Sequence, residues 1–160
     1  MSKELSSNAR RVRDALQALG FTFKVVELPA STRTASDAAR AIGCQVQNIA
    51  KSLVFRGKHT DSPILVIASG KNRVDEAKLS RLADEPVEKA DADFVRRHTG
   101  FSIGGVSPIG HIENLETFID EDLFQYKAIW AAAGTPYAVF ELKPDDLLKM
   151  TNGKVVAVKL

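Results

Sequence analysis

The 160-residue chain has one cysteine, one tryptophan and six prolines. A lone thiol, Cys44, excludes an intramolecular disulfide and a multi-cysteine metal cluster, and suits a reducing compartment. Long apolar runs are missing too: the longest, residues 128–133, falls far short of the ~20 residues that cross a bilayer. Met1-Ser2-Lys3-Glu4-Leu5 leads into Ser, Asn and Arg without the apolar core of a secretory signal, so a cytoplasmic protein without membrane contact is expected. Charge of one sign is lacking, since 22 Lys and Arg stand against 20 Asp and Glu. That excludes a uniformly basic coat for gripping nucleic acid. No phosphate-binding glycine motif is present, because Gly70-Lys71-Asn72 lacks both the upstream glycine and the hydroxyl. His59, His98 and His111 have no short metal-ligand spacing, so neither metal nor cofactor is expected. Residues 105–110 mimic a nucleophile elbow but are one residue too long. Pro108 also follows Ser107 and has no N–H to serve as an oxyanion donor.

What is there reads as a soluble globular chain, 44% hydrophobic and 26% charged, forming one domain over residues 1–160. Charge is unevenly spread: residues 1–60 hold ten Lys and Arg against four Asp and Glu. Residues 38–60 and 94–112 contain no carboxylate, and an anion would be favoured wherever folding joined them. Helical spacing predicts an N-terminal helix over about residues 6–19. Others are expected at 35–42, 75–83, 90–98 and 145–150, with Thr34 and Asp37 resembling a capping box. Strands are expected at 21–28, 49–55, 64–68, 115–119, 128–132, 138–142 and 155–158. Without a regular βαβ beat, these elements favour an α+β or mixed-sheet domain.

Two features carry chemistry. In the strand over 49–55, alternation puts Lys51 on the face of Ile49, Leu53 and Phe55. It reads either as a stem snorkelling to water or as a cation in a partly apolar pocket, aimed at an anion or an ester carbonyl. The loop over 100–110 holds four of the ten glycines. It reads either as a tight turn or as a concavity of N–H donors for a phosphate or an oxyanion. Asp120 reads as part of a solvated acidic patch, and Arg56 and Lys58 as solvated turn charges. Cys44 reads as a small buried residue, and Trp130 as core or pocket lining.

The stretches Thr34-Ala35-Ser36-Asp37, Ala50-Lys51-Ser52-Leu53-Val54-Phe55, Arg73-Val74-Asp75, Gly104-Gly105-Val106-Ser107-Pro108-Ile109-Gly110 and Ala133-Gly134 resemble, in that order, the YbaK/ProX family. These are free-standing relatives of the prolyl-tRNA synthetase editing domain. The resemblance implies an α+β fold with a mixed, largely antiparallel sheet. It also implies hydrolysis of wrong aminoacyl esters from tRNA, with the tRNA acceptor end and a synthetase as partners. By the same resemblance Lys51, Gly104 and Gly105 are the catalytic positions. Thr34, Ser52, Ser107, Pro108, Gly110, Ala133 and Gly134 are the substrate-binding ones. The late turn Ala132-Ala133-Gly134-Thr135-Pro136-Tyr137 departs from that of the Cys-tRNA deacylase branch. This leaves alanyl, seryl, threonyl and cysteinyl groups open. A non-catalytic tRNA- or synthetase-binding module of the same fold is the alternative.

Overall fold

The computed structural model describes residues 5–160. Its strands are β1 (Val25–Glu27), β2 (Ile49–Gly57), β3 (Pro63–Ser69), β4 (Val87–Lys89), β5 (Glu116–Asp120), β6 (Ile129–Ala132), β7 (Ala138–Leu142) and β8 (Lys154–Val156). The helices are α1 (Ser7–Ala18), α2 (Ala35–Ile42), α3 (Glu76–Ala83), α4 (Ala92–Thr99) and α5 (Pro144–Thr151). One sheet runs β1-β7-β6-β2-β3-β5-β8, with β4 attached to β2 beside that path. Four of its seven pairings are antiparallel and include the longest ladder, β2 with β3. The fold is therefore α+β with a mixed, largely antiparallel sheet.

Alternation along the strands separates two cores. Leu65 and Ile67 of β3 meet Val12 and Leu16 of α1, Phe94 of α4 and Leu147 of α5 on one face. Ile64, Val66 and Ala68 meet Phe55, Phe118 and Leu79 of α3 on the other. Because both faces are covered, β3 reads as an unbroken apolar run. Each fully buried Leu or Phe contributes about 1.5–3 kcal/mol of transfer free energy. Helix starts follow local chemistry. Thr34 Oγ1 accepts from the Asp37 amide at 3.0 Å, and Asp75 and Asp91 cap α3 and α4 likewise.

Three expectations need correction. The strand over 21–28 shrinks to Val25–Glu27, since β7 offers partners only from Ala138 to Phe140. Phe21 and Phe23 instead stack on each other at 5.4 Å. The short β4, flanked by Pro86 and carrying Glu88 and Lys89, shows no readable alternation and emerges only as a partner for the end of β2. Arg56 lies within that pairing, bound to Glu88 at 2.6 Å and Asp61 at 2.8 Å, and is no free turn charge.

Candidate functional site

Along its length β2 changes partner. Ile49 and Ala50 pair with Trp130 and Ala131 of β6. Phe55, Arg56 and Gly57 pair with Lys89, Glu88 and Val87 of β4. Residues 51–54 keep β3 on one side and have no ladder on the other, an opening of about 13 Å at 3.3 Å per residue. The Ile49 carbonyl accepts from Gly70 on the β3 side, and the Val54 carbonyl from Ala90 on the other. Ser52 shares the parity of Val54, so its main-chain groups face the opening without a ladder partner. A cavity of about 630 Å3 occupies this opening, within the usual range for small-molecule sites. Both carboxylate-free stretches reach its wall, the first through Ala38 and β2, the second through Val95, Ile103, Gly104 and Val106.

Lys51 projects into this cavity half-buried. Among the described residues it makes no salt bridge. Its nearest acceptor, the Gly70 carbonyl, lies 3.5 Å away, longer than an ordinary N–H···O bond. Gly70 is wedged against α2 and β2, where a Cβ would meet the Val46 carbonyl and lie 2.9 Å from Ala35 Cβ. Burial, then the positive charges of Lys89 and Arg73, push the Lys51 pKa down, and Asp120 offsets this in part. Arg33, Lys51, Arg73 and Lys89 line the cavity against one acidic side chain, Glu76. The arrangement favours an anionic or strongly polarised ligand.

The glycine loop reaches the cavity through Ile103, Gly104 and Val106. Gly104 adopts φ +92°, and a side chain there would also run into Arg33. The Gly105 amide is already committed, donating to the Ser102 carbonyl at 2.9 Å, and Gly105 is not on the cavity wall. Of Gly104 and Gly105, only Gly104 lines the cavity. Ser107, Pro108, Gly110, Ala133 and Gly134 also lie off the wall. Ser107 is fully buried, its hydroxyl accepting from Ile109 and its carbonyl from His111 Nε2 at 2.7 Å. Helix α1 fastens this loop. Arg11 Nη2 donates to the Thr99 and Gly110 carbonyls, and the guanidinium sits over the Phe101 ring at 4.7 Å.

Thr34 does line the cavity, but its hydroxyl is used in the α2 cap. Two residues earlier, Thr32 is 5% exposed, and among the described residues its hydroxyl has no partner, as is true of the Ser52 hydroxyl. Sequence reasoning kept Ser52 and missed Thr32, Arg33 and Lys89. The last three stand outside any amphipathic pattern. It also misread Asp120, which is 1% exposed and accepts from Ser69 and Asp122 amides and from Asn72 Nδ2. The same Asn72 amide group donates to Asp122 at 2.8 Å, and Lys159 Nζ lies 3.1 Å from that carboxylate. This clamp holds the segment 70–74, which places Arg73 and Val74 on the cavity wall. The position of Asp120 on the face of Phe118 was the available signal. Cys44, expected to be buried, is only partly so and lies off the cavity wall, and what burial it has pushes its thiol pKa up.

His111, beneath the loop, makes the site sensitive to acid. Burial lowers its pKa, outweighing the hydrogen bond to Ser107, and Arg11 adds to the lowering. A histidine whose folded pKa is depressed contributes stability above its unfolded value near 6.5, lost as pH falls through the window beneath. The urea midpoint is therefore expected to drop between about pH 7.5 and about pH 5.5. His111→Gln, which keeps a donor but does not titrate, should flatten that drop. An equal drop in both proteins would exclude His111 as its source.

A family model described as the aminoacyl-tRNA editing domain matches residues 29–150. YwhH of Bacillus subtilis (strain 168) is 33% identical over 131 residues, spanning 82% of this chain and 83% of its own length. EbsC of Enterococcus faecalis (strain ATCC 700802 / V583), provisionally named a Cys-tRNA(Pro)/Cys-tRNA(Cys) deacylase, is 31% identical across 78% of this chain and 76% of its own. A crystal structure described as a candidate trans-editing enzyme for prolyl tRNA synthetase superposes with a TM-score of 0.92 at 49% identity, covering 98% of this chain and 99% of that one.

Proposed function

The chain belongs to the aminoacyl-tRNA editing domain family, and on that premise we propose that it is a trans-acting deacylase of mischarged tRNA. Its substrate is tRNA(Pro), or a related tRNA, carrying a small wrong amino acid. The observation that carries the reading is the meeting, in one cavity, of a glycine-loop backbone and a half-buried lysine that makes no salt bridge among the described residues. An ester next to a phosphodiester needs a cation and amide donors. The cavity is sized for a single-stranded acceptor end and not for a duplex.

Lys51 fixes the terminal phosphate or the ester carbonyl, and the Gly104 amide stabilises the oxyanion as it forms. Water adds to the carbonyl carbon with help from the free ribose hydroxyl. The acyl carbon–oxygen bond then breaks, and the departing ribose oxygen takes up a proton. Arg33, Arg73 and Lys89 neutralise the approaching backbone. Residues 1–160 act as one editing unit in the cytoplasm, beside a prolyl-tRNA synthetase whose wrong products it clears.

The test is a deacylation panel: tRNA(Pro) charged separately with alanine, serine, threonine, cysteine and proline. Multiple turnovers on at least one small wrong amino acid, sparing proline, are expected. Tight binding without turnover, weakening steeply with salt, would instead support a non-catalytic tRNA-binding module.

A further inference from the structure

The cavity wall carries two hydroxyls that the protein itself does not use. Thr32 Oγ1 and Ser52 Oγ are both covered and, among the described residues, both without a hydrogen-bond partner. They are exceptions: the buried Ser69, Thr99, Ser107 and Thr117 hydroxyls all have partners. Beside Thr32, the Ser31 and Thr34 hydroxyls accept from the Arg33 and Asp37 amides. Thr32 alone in that strap keeps an unsatisfied hydroxyl among the described residues. An unpaired buried hydroxyl is destabilising, and two in one cavity point to a ligand group that completes them.

The chemistry of that group follows from what surrounds it. Lys51, Arg33, Arg73, Lys89 and the Gly104 backbone offer donors, which satisfy phosphate and carbonyl oxygens. An aminoacyl ester also carries an α-amine, which must donate. Four nearby cations disfavour its charged form, so it enters as a neutral amine with two N–H groups. Two uncharged oxygen acceptors match it. We propose that the Thr32 and Ser52 hydroxyls, each turned toward the cavity by rotation about χ1, form the subsite for the α-amine of the acyl group. The inference rests on the deacylase reading above. It makes the cavity selective for free aminoacyl ends over α-hydroxyacyl and N-acylated ones, since the first lacks the amine and the second keeps one N–H.

Alanyl-, lactyl- and N-acetylalanyl-tRNA test this, each enzymatic rate being divided by the spontaneous hydrolysis rate of that ester. The wild-type protein should favour the alanyl ester over either analogue by about 30-fold in kcat/KM. Thr32→Val with Ser52→Ala should bring the ratio to within about twofold, and Thr32→Ser should preserve it. An unchanged ratio in the double variant, or no preference in the wild type, would overturn the subsite. Binding of the stable amide analogues of alanyl- and lactyl-adenosine to the wild type gives the same comparison if a variant fails to fold. Equal affinities would count against the proposal. A wild type that hydrolyses alanyl- and lactyl-tRNA equally well defeats the subsite and spares the deacylase reading. One inert on every ester in both panels defeats both.

Discussion

Lys51→Met is expected to lower kcat/KM for deacylation by about 100- to 1,000-fold, the usual loss when one preorganised donor is removed from such a site. The melting temperature should stay level or rise. The two outcomes share one cause. Without a bound anion, burial and the neighbouring Lys89 and Arg73 disfavour the ammonium on which the proposed reaction relies. Its folded pKa lies below the unfolded one, so this position adds stability only at high pH and loses it as pH falls through that window. Methionine fills the space of the stem without the charge. Calorimetry and single-turnover deacylation on the same preparation check the prediction. Loss of activity with an equal loss of stability would make Lys51 structural, and full activity would remove it from the mechanism.

Asn72→Leu should cost about 3 kcal/mol at neutral pH, from the loss of the donor that stands between two buried carboxylates. Asp120 and Asp122 are 1% and 6% exposed, and the Asn72 amide group reaches each at 2.8 Å. Hydrogen bonds from Asn72 and then Lys159 hold the Asp122 pKa below the usual carboxylate value. In the wild type this contribution is present above the unfolded pKa and lost as pH falls beneath it. Without Asn72 the two carboxylates face each other, and Asp122 loses the hydrogen bond that does most to hold its pKa down. The cost should therefore shrink only as pH falls beneath about 3.9, the unfolded carboxylate value, where urea midpoints of both proteins converge. A pH-independent cost would mean that packing, not charge, is at stake. Deacylation should also suffer, mainly in KM, because the segment carrying Arg73 loses its anchor.

Sequence patterning revealed the elements that obey a period. The face of Lys51 could be read because β2 alternates along nine residues. The ends of α2 could be read because Thr34 and Gly43 carry their own local chemistry, a cap and a left-handed turn. Legibility ended where contacts are made by single residues far apart in the chain. Arg11 bonding the Thr99 and Gly110 carbonyls, and Asn72 bonding Asp120, span some 50 to 100 positions and leave no periodic trace. Gly105 shows a further limit. Composition locates a concave loop, but which amide it spends on its own turn depends on torsions that only the folded chain displays. Thr32 differs again, because its unsatisfied state is defined by the absence of every neighbour it might have had.

Because the site is a break between rungs and not a dent in a surface, its gauge is set by strand spacing, which side-chain replacement does not alter. Widening it would mean unzipping Ala50 from Ala131 or Phe55 from Lys89. Either step forfeits main-chain bonds on which the sheet depends. A change in the acyl group accepted would therefore come from relining the depth of the slot while its mouth stayed constant.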